Sequence, residues 1–381
     1  MQFEAKTDDL RRAMAIVARS IRFGGKDHPF HDLVYIEAEK DIILSTHCGF
    51  ASWIAHCDAE VKVAGACVVS ASALNRLLES SQAVAVKGSQ PEDEPNMQIT
   101  IGKGRYKLPT TPSIDSFPTP LECNDPSVLF TMKSVDVVRL LVRPQFAVCE
   151  SPSQLQMGGI FLHMSRANWN DYAAGERLAA VTTDAKTMFW ASVEYPEKAP
   201  PLPTTQDNEK GVVITRETAN EIAFIAKQAG STSIEVDAGI IMASTSRATF
   251  ASKLMDVAYP AYTKLWRPVN AHVAEVARAD LLELFCRMSA ADEKGIVRMQ
   301  WTAGANAITF DWLRGKAEAA DEIAASVGGD GVFCSPVWQL IEICEQLTGE
   351  KVRISLKSRT EPAYIQDGDD ADVLILQAPS Q

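Results

Sequence analysis

The chain lacks the local signatures by which many enzymes can be read from sequence. It has no GxxxxGK[ST], no GxGxxG and no GxSxG, so neither a nucleotide-binding loop nor a hydrolase elbow has local support. No apolar run approaches the ~20 residues needed to span a bilayer. The eight cysteines form no CxxC pair, and most sit in apolar segments, which suits buried thiols in a reducing compartment. The opening Met1-Gln-Phe-Glu-Ala-Lys6 reads as the start of a strand, without the apolar core of a signal peptide. A soluble, cytoplasmic protein is the expectation. Positive charge is also short: 37 Lys and Arg against 49 Asp and Glu leave a net charge of −12. That is the wrong sign for a groove-reading DNA-binding protein, whose affinity comes from basic side chains releasing phosphate counterions. Two readings survive: no dealings with nucleic acid, or DNA held by topology, with a local basic face on an acidic exterior.

Possible catalytic and metal constellations dissolve on inspection. His47-Cys48 and His56-Cys57 lie in strand-like segments, where neighbouring side chains point to opposite faces, so four ligands do not converge and no metal or other cofactor is expected. Asp8, Asp9 and Asp136 occupy first-turn helix positions, where capping and dipole roles suffice. Trp53, Trp190, Trp301 and Trp312 fall on strands at core spacing. No catalytic residue is expected.

What the chain does have is a threefold repeat. An amphipathic helix opens each copy, at Thr7–Arg19, Ser134–Val142 and Arg278–Arg287. A second follows at Ser70–Leu78, Thr215–Ile225 and Ser335–Ile343. The second helices begin about 145 and then about 120 residues apart, far beyond the ~20–50 of solenoid repeats, so these are repeated domains. Between and after the helices run alternating, β-branched segments that read as antiparallel strands with one buried face. Each copy is thus a helix-and-sheet half written twice. The fold class is α+β: three tandem domains, each with two helices packed on antiparallel sheets. Proline-rich seams at Thr111–Pro120, Asn124–Pro126 and Tyr259–Pro268 place the domains at 1–123, 127–266 and 268–381.

Several runs resemble the bacterial DNA polymerase III beta subunit, the sliding clamp. Arg105-Tyr-Lys-Leu-Pro-Thr-Thr-Pro-Ser-Ile-Asp-Ser-Phe-Pro118 resembles that family's close of domain one. Val181-Thr-Thr-Asp-Ala-Lys-Thr-Met188 resembles its (V/A)-T-D-G-H-R-L segment, and Ser252-Lys-Leu-Met-Asp-Val-Ala-Tyr-Pro-Ala-Tyr262 its close of domain two. Phe23-Gly-Gly-Lys26 is similar to a Gly-Gly-Arg loop, and Asp292-Glu-Lys294 to an Asn-Glu-Lys turn. The resemblance covers the whole chain in order.

It implies a DNA-clamp fold in which two chains close head to tail as a dimeric ring around double-stranded DNA, without sequence preference. The implied function is a non-catalytic processivity factor of the DNA polymerase III holoenzyme. It would tether the polymerase alpha subunit, the clamp loader and other clamp-binding-motif proteins, with no membrane role. The alternative is a clamp-fold protein–protein scaffold, or a secondary clamp outside normal replication. The DNA-facing positions implied are Arg11, Arg12, Arg19, Arg22, Lys26, Arg139, Arg143 and Arg216. Tyr106 and Leu108 are the implied dimer-interface positions. The implied peptide groove comprises Met157, Thr183, Ala185, Lys186, Thr187, Met188, Pro260, Lys264, Leu265, Thr360, Pro362, Val373, Leu374, Ile375 and Leu376, apolar anchors with a polar rim. This chain departs from the family pattern there. Gly-His-Arg-Leu has become Ala185-Lys-Thr-Met188, and Met-Pro-Met-Arg-Leu has become the tail Ile375-Leu-Gln-Ala-Pro-Ser-Gln381. The Asn and Tyr that open the last helix fall at Cys334 and at Val337 or Trp338. An altered peptide preference follows.

Overall fold

The computed structural model describes residues 1–381 apart from 24–27, 92–93, 112–113, 166–175, 198, 204–210, 266–270, 315–319, 369 and 381. The element order states the repeat directly. Copy one runs β1 (Gln2–Lys6), α1 (Thr7–Val17), a helical turn (Ser20–Phe23), β2 (Leu33–Ala38), β3 (Ile42–His47), β4 (Ala51–Cys57), β5 (Ala59–Val63), β6 (Gly65–Ser70), α2 (Ala71–Glu79), β7 (Ala85–Ser89), β8 (Asn96–Ile101) and β9 (Gly104–Pro109). Copy two runs β10 (Val128–Lys133), α3 (Ser134–Val137), β11 (Ile160–Ser165), β12 (Arg177–Thr183), β13 (Thr187–Glu194), β14 (Gly211–Ile214), α4 (Arg216–Ala229), β15 (Ser231–Val236), β16 (Ile240–Ser244) and β17 (Ala248–Lys253). Copy three runs β18 (His272–Ala277), α5 (Arg278–Ala291), β19 (Ile296–Trp301), β20 (Ala307–Arg314), β21 (Ala320–Gly328), β22 (Gly331–Pro336), α6 (Val337–Gln346), β23 (Lys351–Leu356), β24 (Ala363–Asp367) and β25 (Asp370–Gln377).

The strands form three antiparallel sheets, ordered β5-β1-β7-β8-β9, β10-β15-β16-β17-β4-β3-β2-β6 and β14-β11-β12-β13-β25-β24-β23-β18-β21-β20-β19-β22. Two of them run across copies. The last strand of copy two, β17, pairs with β4 of copy one, and the last strand of copy three, β25, pairs with β13 of copy two. The chain divides into two compact units, one of 1–137, 199–203 and 217–255, the other of 138–198, 204–216 and 256–381. Each inter-copy pairing lies inside one unit.

Local chemistry explains where the elements begin and bend. Ser70 caps α2, its Oγ accepting from the Ala73 N–H at 3.2 Å, and Asp32 accepts from the Ser72 N–H at 2.8 Å and from the Ser70 hydroxyl; these satisfy donors that a helix start leaves over. The first helix of copy two is shorter than the sequence pattern implies. After Val137 it widens to a π-type turn over Val138–Val142 and then tightens to a 3-10 turn over Arg143–Ala147. Pro144 is the cause: it has no N–H to offer the preceding turn and its ring crowds the backbone there. The Gln145 side chain supplies a replacement donor, Nε2 to the Leu141 carbonyl at 2.7 Å.

β21 was not legible as a strand. Its Ala-Asp-Glu-Ile-Ala-Ala-Ser-Val-Gly sequence is poor in β-favouring residues. It is held by partners instead, Ala320–Ala324 on β20 and Ala325–Gly328 on β18.

One buried ion pair ties copy one to α4. Arg19 donates to both Glu221 oxygens at 2.5 and 2.7 Å, and the indole of the fully buried Trp53 donates to the same carboxylate at 3.1 Å. The guanidinium lies 3.9 Å from the centroid of the Phe224 ring. Removing the carboxylate leaves an indole donor unpaired and a half-buried cation uncompensated. Glu221→Ala is therefore expected to destabilise the fold by about 2–3 kcal/mol, whereas Glu221→Gln, which keeps an acceptor for Trp53, costs less. Urea unfolding midpoints of the two variants check this.

Candidate functional site

The basic residues are positioned by the helices and the turns that follow them, and most are already engaged. Arg11 on α1 donates to the Leu78 carbonyl at 3.0 Å and the Ser81 carbonyl at 2.6 Å, which fastens α1 to the end of α2; its remaining nitrogen meets Asp8 at 2.5 Å. Arg19 is held by Glu221 as above. Arg139 pairs with Asp370 at 2.7 Å and lies 3.8 Å from Asp372, which also takes Arg177. Arg143 is nearly buried and donates to the Gln346 carbonyl; burial pulls its pKa down, and Asp370 opposes that shift. Arg216 meets Glu150 at 2.9 Å and the Gln145 carbonyl at 3.0 Å.

What remains open is small. Arg12 is exposed with a long 3.3 Å pairing to Asp9. Arg22 is exposed and, with Arg76 of α2, makes no ion pair among the described residues. Arg19, Arg22 and Arg76 share a cavity of about 370 Å³ whose lining also includes the carboxylates of Glu79 and Glu221. Arg76 went unremarked in the sequence; a single basic residue on a helix carries no signal until its neighbours are known. Lys26 lies outside the described residues.

The residues of the implied peptide groove all fall in the second unit, and pairing brings two of its segments side by side. Thr187 lies opposite Gln377, Met188 opposite Leu376 and Trp190 opposite Leu374. The hairpin before β13 is tightly closed. Thr183 Oγ1 donates to the Thr187 carbonyl at 2.8 Å, and Asp184 accepts from the N–H groups of Lys186 and Thr187 at 2.9 and 2.6 Å. Ala185 at its tip has φ +72°, a left-handed conformation that glycine adopts freely and an L side chain resists. Met157, Met188 and Val373 to Leu376 are buried, so they serve as floor and core. Lys186, Lys264 and Thr360 are exposed, Leu265 is 59% exposed, and Pro260 and Pro362 are half-buried. The Tyr364 hydroxyl donates to the Leu265 carbonyl at 3.0 Å and so ties that segment to β24.

The sequence reading missed a buried polar chain in this region. Thr187 Oγ1 donates to Gln377 Oε1 at 2.6 Å, and Gln377 Nε2 to Gln339 Oε1 of α6 at 2.9 Å. The tail continues it, with the Ala378 N–H on the Lys186 carbonyl and the Ser380 N–H on the Cys334 carbonyl. Leu155, 60% exposed, carries no signal in the sequence, whereas Trp338, named above at the start of the last helix, is 45% exposed.

Beside the groove, the buried His163 is hydrogen-bonded to the Tyr262 hydroxyl at 2.8 Å and stacked on Phe161, 4.6 Å between centroids. Burial lowers its pKa to about 4.

Tyr106 and Leu108 lie on β9, the outermost strand of its sheet; Tyr106 is 43% exposed and Leu108 is buried. Among the described residues no group of three or more His, Cys, Asp or Glu side chains is placed to hold a metal ion, and no helix is long and apolar enough to cross a membrane.

No family model matches the chain. In sequence it is similar to the beta sliding clamp of Pseudomonas putida, 26% identical over 291 residues covering 74% of each protein, and to that of Caulobacter vibrioides, 22% identical over 292 residues, 75% of this chain and 74% of the relative. In structure it is similar to the DNA polymerase sliding clamp of Caulobacter crescentus, with a TM-score of 0.88 at 20% identity over the whole of both chains. It also matches the DNA polymerase III subunit beta of Pseudomonas aeruginosa bound to griselimycin, with a TM-score of 0.86 at 21% identity, covering 100% of this chain and 99% of that one.

Two measurements test the local chemistry. Ala185→Gly relieves the left-handed alanine and is expected to stabilise the chain by about 0.5–1 kcal/mol after glycine's extra unfolded-state entropy is counted, read as a rise in urea midpoint. His163 is held neutral when folded, so the unfolded chain binds a proton that the folded chain refuses as pH falls from about 6.5 towards about 4. Stability is lost through that window, by an amount on the order of 3 kcal/mol. His163→Phe should flatten this part of the stability–pH curve, while costing some stability at neutral pH through the lost Tyr262 hydrogen bond.

Proposed function

We propose that this chain, a divergent relative of the bacterial beta sliding clamps, is itself a DNA sliding clamp: a non-catalytic processivity factor that closes head to tail with a second copy around duplex DNA. On this reading it tethers a replicative polymerase of the DNA polymerase III type by a peptide groove, in the cytoplasm. The three copies, at 1–123, 127–266 and 268–381, would be its domains.

The observation that carries the reading is the pattern of inter-copy pairing. The closing strand of copy three joins copy two, and that of copy two joins copy one. Carried one step further, the same rule asks the closing strand of copy one, β9, to join a copy three. Within one chain β9 is left at a sheet edge, and so is the first half of β21, which pairs on one side only. Exposed edges with an apolar Tyr106 need a partner or protection. A second copy related by a twofold axis satisfies both edges at once and closes the set without end. Linkage then replaces rebinding, and a high effective concentration accounts for processivity without any chemistry.

Arg12, Arg22 and Arg76 are the side chains best placed to meet phosphates without reading bases. The apolar floor at Met188 and Val373–Leu376, with exposed Leu265 and Lys186 beside it, supports the groove. A scaffold that keeps the fold but does not encircle DNA is the second reading. What favours it is the engagement of Arg11, Arg19, Arg139, Arg143 and Arg216 within the chain.

Loading by a clamp loader with ATP onto nicked circular plasmid, followed by linearisation, separates the two. Retention on circles with rapid loss from linear ends is expected. Equal retention on both forms would mean ordinary binding. Loss from both, with a loader active on a control clamp, would favour the scaffold.

A further inference from the structure

The last helix carries its charge and its exposed aromatic on one stripe. α6 (Val337–Gln346) has two carboxylates and no basic residue. Trp338, Glu342 and Glu345 stand four and then three residues apart, so they line the same side of the helix. Trp338 is 45% exposed, Glu342 is half-buried and Glu345 is exposed. The other side of α6 goes inward, with Val337, Leu340, Ile343 and Cys344 in the core and Gln339 bonded to Gln377.

The stripe faces two other acidic segments. Burial, and after it the charges of Glu345, Asp184 and Glu150, push the Glu342 carboxyl above the ordinary carboxylate range, and no lysine or arginine opposes them. Asp184 belongs to the hairpin before β13, where it accepts from the N–H groups of Lys186 and Thr187. Glu150 belongs to a loop folded back by the Cys149 N–H on the Met157 carbonyl at 3.1 Å, and that loop presents Leu155, 60% exposed. Arg216 meets Glu150 at 2.9 Å, but Glu342 and Glu345 make no ion pair among the described residues. The residues that follow β25, Ala378–Gln381, bring no charged side chain to offset them.

Resting on the groove reading above, we propose that the segment this protein binds is a peptide both apolar and basic, with a lysine or arginine lying over the Trp338 indole and its charge directed to Glu342. An indole face attracts a cation, and the carboxylate one turn along the same stripe supplies a charge-assisted hydrogen bond. A half-buried carboxylate with like charges around it gains more from an incoming cation than an exposed one does, because solvent screens it less.

The apolar anchors of such a peptide are held apart from this contact, by the exposed Leu265 and the floor at Met188 and Val373–Leu376. Lys186 and Lys264, the basic members of the groove, lie on the hairpin and on the Tyr262–Leu265 turn rather than on α6. Charge therefore sets the direction of the peptide, with its basic end at α6. An acidic peptide meets the same carboxylates as a repulsion, and so does a nucleic-acid phosphate. The stripe thus discriminates by charge, which the apolar floor does not.

Panning a random dodecapeptide library on the immobilised full chain tests this, followed by fluorescence anisotropy of the enriched peptides. Enriched sequences are expected to hold a pair of apolar residues with Lys or Arg close by. Glu342→Gln and Trp338→Ala, each checked for folding by circular dichroism, should weaken these peptides about three- to tenfold. Replacing the basic residue of the peptide by Ala should weaken wild-type binding by a similar factor. Glu342→Gln should then cost the Ala-substituted peptide little, since the contact it removes is already absent. An effect of Glu342→Gln that persists undiminished on that peptide overturns the contact. Apolar peptides enriched without charge bias, or with Asp and Glu, overturn the basic preference while leaving the groove in place. Failure to enrich any apolar sequence, or binding indifferent to Leu265→Ser, overturns the groove reading itself.

Discussion

A β-strand carries hydrogen-bonding groups on both sides, and the organisation of this protein follows from where those groups find partners. Nothing inside a copy pairs with the outer edge of its closing strand. For copies two and three that edge is satisfied by the preceding copy: β17 on β4 and β25 on β13. Within the chain, β9 ends its sheet and the first half of β21 is paired on one side only, and edges of that kind need a partner or protection.

Charge is distributed to match. The acidic total comes from composition, 49 Asp and Glu against 37 Lys and Arg, and many of the arginines already face carboxylates or carbonyls within the chain. Arg19 with Glu221, and Arg139, Arg143 and Arg177 with Asp370 and Asp372, lie where copies meet, and the second group sits beside the β13–β25 junction. Half-buried pairs of this kind fix orientation more than they add stability.

The region of β13 and β25 shows how local hydrogen bonds hold a turn whose backbone an L side chain resists. The hairpin that carries Ala185 keeps its turn even though a side chain now occupies a left-handed position, because Asp184 and Thr183 close the turn with their own hydrogen bonds. The Thr187–Gln377–Gln339 chain then joins the hairpin, the last strand and α6 in one satisfied polar network. A network of that sort specifies one arrangement, since a misplaced member would leave a buried amide unpaired.

The sequence by itself determined the threefold repeat, the α+β class and most helices, because those rest on periodicity and capping that a short window contains: Ser70 before α2, or the apolar spacing of α1. It also carried the clamp resemblance through the Arg105–Pro118, Val181–Met188 and Ser252–Tyr262 runs. Only the tertiary structure decided that Ala320–Gly328 is a strand, that the helix after Ser134 widens ahead of Pro144, and that Arg11, Arg19, Arg139, Arg143 and Arg216 are engaged while Arg22 and Arg76 stay open. The reason is physical. Helix propensity and caps act over a few residues, whereas a strand's partner and a charge's counter-charge stand up to a few hundred residues away, as Arg19 and Glu221 do, and no local pattern records that distance.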